Sequence, residues 1–200
     1  QKKLENHFGK FNNNKIETLF LHDYKVLLTK NGNKIFKNLE YLKKKKLFKK
    51  IGLSIYDTKN LNYIFFNYKV DVIQCPYNIF DKRILNTGWF DKMKKLEIEV
   101  HARSIFLQGL LINKSFHTKK YFKIWEKSIS KWFKWLKENN ISATDYCLTD
   151  LLATDFDKII IGINNSANLR EILHFRKINK NKLLNMETND LRLIDPRKWK

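Results

Sequence analysis

Residues 70–111, VDVIQCPYNIFDKRILNTGWFDKMKKLEIEVHARSIFLQGLL, constrain the fold more than any other stretch. Two apolar runs in it end in polar side chains. Residues 72–73 lead to Gln74, and residues 100–102 lead to Arg103 and Ser104. Between them, Trp89, Phe90, Met93 and Leu96 recur at helical spacing. The stretch therefore predicts a strand–helix–strand unit with polar residues at the carboxyl ends of its strands. α/β folds place their sites at those ends.

The same alternation extends along the chain. Apolar runs at 18–22 (TLFLH), 51–56 (IGLSIY), 70–75, 99–104 and 158–163 (KIIIGI) predict five strands. Helical spacing joins Ile35, Phe36, Leu39 and Leu42, then Leu61, Ile64, Phe65 and Tyr68. A long helix is expected over 121–138, with Phe122, Trp125, Ile129, Trp132, Phe133 and Leu136 on one stripe. Another starts at Ser142, whose spacing to Asp145 suits a capping box. Leu169, Ile172 and Leu173 mark a last one. Near-continuous apolar strands alternating with helices imply a parallel sheet covered by helices. No Gly-x-Gly-x-x-Gly follows any strand, so a Rossmann-type nucleotide site has no support.

Composition excludes several functions. The 200 residues suit one domain, and five strands fall short of the eight that close a barrel. The formal charge of +20 would suggest nucleic-acid binding, but the lysines are spread along the chain with Asn, Ile and Phe. The dense run at 43–46 falls at a helix end, where cations are favoured, and no aromatic platform interleaves it. No nucleic-acid partner is expected. Nor is a membrane one, since no apolar run reaches roughly 18–20 residues. Cys75 and Cys147 have no metal-ligand spacing and read as inert thiols of a reducing compartment, the cytoplasm; no metal site is expected. Pro76 and Pro196 announce no domain boundary, so residues 1–200 are expected to form a single domain.

The order of motifs resembles the aldo-keto reductase family. Leu19–Phe20–Leu21–His22 is similar to that family's fourth strand, which ends in an active-site histidine. Ile51–Gly52–Leu53–Ser54 resembles the fifth strand, residues 74–78 (QCPYN) the sixth, and residues 102–109 the seventh with its cofactor loop. Ile161–Gly162 followed by Asn168, Leu169 and Glu171 resembles the eighth strand and the start of its helix. The resemblance implies strands 4 to 8, with their helices, of a (β/α)8 TIM barrel. On that reading the chain is the carboxyl-terminal two-thirds of the domain, truncated at the amino terminus, with the first three β/α units absent.

It also implies an oxidoreductase that reduces an aldehyde or ketone with hydride from NADPH, with NADH as the alternative. His22 is the expected catalytic histidine, orienting the carbonyl oxygen. Ser54 and Gln74 would pair the nicotinamide carboxamide. Arg103 would stack on the nicotinamide or hold phosphate. Ser104, Phe106 and Gly109 would belong to the pyrophosphate loop, with Lys114 a further phosphate candidate. Gly162, Asn164, Asn168 and Glu171 would face the adenosine end. No cation lies between Gly162 and Asn168, although Arg170 is close, so a 2′-phosphate clamp is not evident and NADPH rests on the resemblance alone. The family's aspartate, tyrosine and lysine precede its fourth strand, and no tyrosine of this chain matches the catalytic one. Tyr56 and Tyr77 belong to other strands. The expected consequence is an inactive fragment; the alternative is a non-catalytic relative that binds a dinucleotide or a partner. Trp199 is expected to pack as part of a docked tail.

Overall fold

The structure, a computed structural model, describes residues 16–115, 119–179 and 184–199. The helical remnant expected around Leu4, Phe8 and Phe11 lies outside them. Five strands are ordered β1-β2-β3-β4-β5 in the sheet. They are β1 (Ile16–Leu21), β2 (Phe48–Ser54), β3 (Val72–Pro76), β4 (Glu99–Arg103) and β5 (Lys158–Ile159). The pairs β1·β2, β2·β3 and β4·β5 run parallel, as near-continuous apolar strands joined by helices require. The chain divides into two compact units, 1–74 with 91–100, and 75–90 with 101–200.

In the first unit, β1, β2 and the start of β3 are tied by regular register: Leu21 opposes Leu53, Gly52 opposes Val72, and Ser54 opposes Gln74. Helix α1 (Gly32–Lys44) buries Phe36, Leu39 and Leu42, the stripe its spacing predicts. Helix α2 (Leu61–Asn67) buries Leu61 and Ile64, and α3 (Arg83–Asn86) and α4 (Trp89–Lys95) come after β3 in the chain. Tyr68 closes it, donating its hydroxyl to the Leu27 carbonyl at 2.8 Å. Two glycines mark close approaches. A Cβ on Gly32 would meet the Leu27 carbonyl oxygen at 2.1 Å, and one on Gly52 would meet the Phe20 ring at 2.5 Å. The basic run at 43–46 is more than a solvated helix end. Lys43 ion-pairs with Asp71 at 2.6 Å, and the same carboxylate accepts the Ile51 N–H at 2.8 Å.

The second unit is built around aromatic side chains. Helix α5 (Glu126–Glu138) buries Ile129, Trp132, Phe133 and Leu136. Trp132 is fully buried, crosses Tyr146 edge to face at 4.7 Å, and donates its indole N–H to the Leu111 carbonyl at 2.9 Å. The expected single helix over 121–138 is in fact two pieces. Residues 120–125 form a 3₁₀ turn. The Tyr121 hydroxyl donates to Arg192 O, and Phe122 sets its ring perpendicular to Trp199, so tail contacts override helical periodicity. The tail is docked as expected: Trp199 donates its indole N–H to Leu193 O at 3.0 Å.

Helix α6 (Ala143–Leu152) starts at Ser142, whose hydroxyl accepts the Asp145 N–H at 2.9 Å. Asp145 does not close a capping box. Its carboxylate instead accepts the Arg176 N–H at 2.6 Å. Strand β5 ends at Ile159, well before the expected 163. The ladder continues only to the Ile160 N–H, bonded to Ala102 O at 2.8 Å, before the chain turns away. Helix α7 (Ser166–Leu173) follows, capped by Asn165. Among the described residues, no helix is long and apolar enough to cross a membrane, and no cluster of His, Cys, Asp and Glu could hold a metal.

Candidate functional site

Eight expected site residues converge in the second unit. Arg103, Ser104, Phe106, Gly109, Gly162, Asn164, Asn168 and Glu171 all line one cavity of about 310 Å³. Three elements bring them there. Strand β4 ends at Arg103, whose Nη1 donates to Ser104 Oγ at 3.2 Å. The loop that follows bends through left-handed backbone at Ser104 (φ 61°), Leu107 (φ 44°), Gln108 (φ 54°) and Gly109 (φ 89°). Such conformations cost non-glycine residues free energy and cluster where a loop must present its amides to a ligand. The loop is anchored by Leu107, Leu110 and Leu111, all fully buried. The early end of β5 releases Ile160, Ile161, Gly162 and Asn164 to the cavity wall, and α7 adds Asn168, Glu171 and Ile172.

The wall is mixed in character. Ile105, Phe106, Ile112, Ile160, Ile161 and Ile172 supply apolar surface. Arg103 carries the one positive side chain among the described lining residues, and Glu171 the one negative. That chemistry fits a dinucleotide: a guanidinium and bent-loop amides for pyrophosphate, amides and a carboxylate for ribose, and branched aliphatics for a flat base. Thr144, on the first turn of α6, also lines the cavity and was not expected from the sequence. Lys114 does not line it. Its Nζ lies 5.8 Å from the Phe133 ring centroid, beside a different cavity.

The remaining three expected residues lie in the first unit and share one row. Ser54, which ends β2, and Gln74, in the middle of β3, are register partners, and the Ile55 N–H donates to Gln74 O at 2.9 Å; β3 runs two residues past Gln74, the polar end the sequence predicts, to Pro76. His22 follows directly on Leu21, whose partner Leu53 precedes Ser54. It is exposed and lies just past the strand expected to contain it. In-register parallel strands place successive rows alike, so the three stand at one level of the sheet.

These two constellations can be set beside known proteins. The sequence model of the aldo/keto reductase family matches residues 1–191. The chain belongs to the aldo/keto reductase family. Among solved structures it is similar to aldo-keto reductase AKR11C1 from Bacillus halodurans in its apo form. That match has a TM-score of 0.73 and 15% identity, and covers 92% of this chain and 65% of that one. It is also similar to the glycerol dehydrogenase AKR11B4 from Gluconobacter oxydans, with a TM-score of 0.66, 15% identity, and coverage of 98% and 64%. A variant of Gox0644 in complex with NADPH matches with a TM-score of 0.64 and 15% identity, covering 100% of this chain and 69% of that chain. Comparison with curated proteins finds no match. The chain thus spans about 65% of the length of the first of these structures. Its five parallel strands and their helices correspond to part of the family's (β/α)8 barrel.

The chain also holds a polar cluster that its sequence does not signal. Lys82 donates to the Tyr77 hydroxyl at 2.7 Å and ion-pairs with Asp150, while Tyr77 also meets Thr154 Oγ1 at 3.1 Å. Burial drives the Tyr77 phenol above its ordinary pKa, with the Asp150 charge adding to the effect. Burial likewise lowers that of Lys82, against the pull of Asp150. A phenol raised in this way holds its proton tightly, which suits a structural hydroxyl rather than an acid. Cys75 and Cys147 are both buried and free. Burial pushes the Cys75 thiol up to about 12 and raises that of Cys147 further. Neither forms a thiolate at neutral pH.

Proposed function

We propose that the chain is the cofactor-binding part of an NAD(P)H-dependent carbonyl reductase that converts an aldehyde or ketone to an alcohol. The observation that carries this reading is the convergence of all eight loop and helix residues expected to meet the dinucleotide on one cavity. A reduced nicotinamide bound there would supply the hydride. The chain's own work is then positional. Ser54 and Gln74, a hydroxyl and an amide on one row, present paired donors and acceptors to a carboxamide and so fix which ring face is exposed. His22, at the same level, offers an imidazole N–H to a carbonyl oxygen as negative charge develops on it. The loop from Ser104 to Gly109 and Arg103 hold pyrophosphate.

Proton supply is the step this chain does not carry on this reading. Tyr77 is committed to Lys82 and Thr154, and its raised pKa makes it a weak acid. The family's Asp, Tyr and Lys belong to barrel units that precede the fourth strand, so the 200 residues act as a single-domain fragment that is inactive alone. Its partner is a small carbonyl compound in the cytoplasm, with neither nucleic acid nor membrane involved. The second reading, a non-catalytic dinucleotide-binding relative, is favoured by that same commitment of Tyr77.

Two measurements on the purified chain test this. Dinucleotide binding is read by the fluorescence of the reduced nicotinamide, and turnover by its absorbance with a panel of aldehydes and ketones. Binding without turnover is the expected result. Turnover by the chain alone would overturn the inactive-fragment reading, and no binding at all would overturn the cofactor assignment. Added turnover on supplying the amino-terminal units of a relative separates a reductase fragment from a binding module.

A further inference from the structure

We infer that Lys82 is a carbonyl-reactive amine, and that the cavity it borders holds a small aldehyde or ketone on Nζ as an imine. The site shares no lining residue with the cavity of Arg103 and Glu171, and the inference stands apart from the dinucleotide reading. The cavity, of about 340 Å³, lies within the second unit. Three polar side chains meet on its wall: Tyr77 just past β3, Lys82 just before α3, and Asp150 on α6. Ile79, Leu85 and Met186 supply apolar surface. Two bonds hold residues 184–187 in place as a further wall. Tyr146 donates its hydroxyl to Leu184 O at 2.8 Å, and Asn86 Nδ2 donates to Glu187 Oε2 at 3.1 Å.

Imine formation needs an amine electron pair, a group that takes and returns a proton, and surroundings that disfavour the ammonium. All three coincide at Nζ. It donates to the Tyr77 hydroxyl at 2.7 Å and to Asp150, and its centre lies 4.0 Å from the Tyr77 ring centroid. The pair with Asp150 balances the charge and leaves a third N–H, for which no described residue is the acceptor. Burial lowers the Lys82 pKa more than the Asp150 carboxylate raises it, so the free amine is more accessible here than on a surface lysine. Asp150 takes one proton from the ammonium. The Nζ lone pair then bonds to the carbonyl carbon, and a second proton passes from nitrogen to the former carbonyl oxygen. Asp150 returns its proton to that hydroxyl, the C–O bond breaks, and water leaves. In sum, ammonium and carbonyl compound give a protonated imine and water, with no oxidant or reductant. Tyr77 keeps its proton and positions the nitrogen.

The test is reductive trapping of the intact chain at neutral pH with butanal and cyanoborohydride, which reduces the imine to a stable secondary amine. Peptide mass mapping over time gives the rate at each lysine. Lys82 should be alkylated at least roughly tenfold faster than the median lysine of the chain, a modest gain for a positioned group. In denaturing urea that advantage should vanish. The variant Lys82→Arg, which keeps a cation beside Asp150, should lose the fast phase of total incorporation while its slow phase is unchanged. Labelling of Lys82 at or below the median rate overturns the inference. So does an advantage that survives in urea, since it then belongs to the local sequence and not to the cavity, or a fast phase that persists in Lys82→Arg. None of these outcomes bears on dinucleotide binding.

Discussion

The two units are stabilised by different means. The first repeats a backbone pattern: strand, helix and strand in register, with side chains filling predictable faces. Its polar ties include ion pairs such as Lys43 with Asp71, and Lys50 of β2 with Glu99 of β4. The second has a short β4·β5 ladder and relies more on side chains. Trp132, Tyr146, Trp135, Phe122 and Trp199 lock loops and tail together, and Tyr77, Lys82 and Asp150 form a satisfied buried network. A unit held by repetition tolerates loss of one contact, whereas a unit held by a few large groups does not. Substitutions should expose that contrast.

The largest loss is expected at Trp132. Trp132→Ala removes a fully buried ring and its bond to Leu111 O, and should cost about 3–5 kcal/mol in denaturant unfolding. A loss no greater than that of an average helix substitution would break the contrast. Next comes Asp150→Ala, which strands the Lys82 ammonium with both side chains at most 16% exposed; roughly 3 kcal/mol should go. Adding Lys82→Met to it should restore part of that stability, since the orphaned charge is then gone. In the first unit, Gly52→Ala pushes a methyl group against the Phe20 ring and should cost about 1–3 kcal/mol, less than either change above.

A pH scan sharpens the comparison further. Cys75 and Cys147, both in the second unit, have folded pKa values above the unfolded value near 9. The unfolded chain therefore releases protons that the folded chain keeps. Their contribution is fully present below pH 9 and is lost as pH rises above it, at about 1 kcal/mol per thiol over the first pH unit. The double change Cys75→Ala with Cys147→Ala should flatten that slope, and an unchanged slope would assign it to other groups. The smallest effect belongs to Glu17→Gln in the first unit. Its ion pair with Lys49 is exposed, and the unfolding midpoint should not move measurably.

Legibility in the sequence followed the same division. The Ser54–Gln74 row could be read because an apolar run and the polar residue that follows it are local properties, although β3 continues past Gln74 to Pro76. So could the stripe of α5 from Ile129 to Leu136. The break at Trp125 could not, because it depends on where Tyr121 and Phe122 find the tail. Nor could the missing half of the capping box at Ser142, since Arg176 competes for Asp145 from a distant segment. Thr144 reached the cavity wall with no signal beyond its place on a helix's first turn.

The sequence by itself determined the β/α alternation, the parallel strands and the residues that gather at their ends, because side-chain period and turn chemistry act over a few residues. It also carried the family, through five short motifs in order. Only the tertiary structure decided that Arg103 and Glu171 share one cavity while Lys114 does not, and that Tyr77, Lys82 and Asp150 satisfy one another. Those outcomes rest on packing and desolvation between distant segments. No local pattern specifies which partner a buried charge will find.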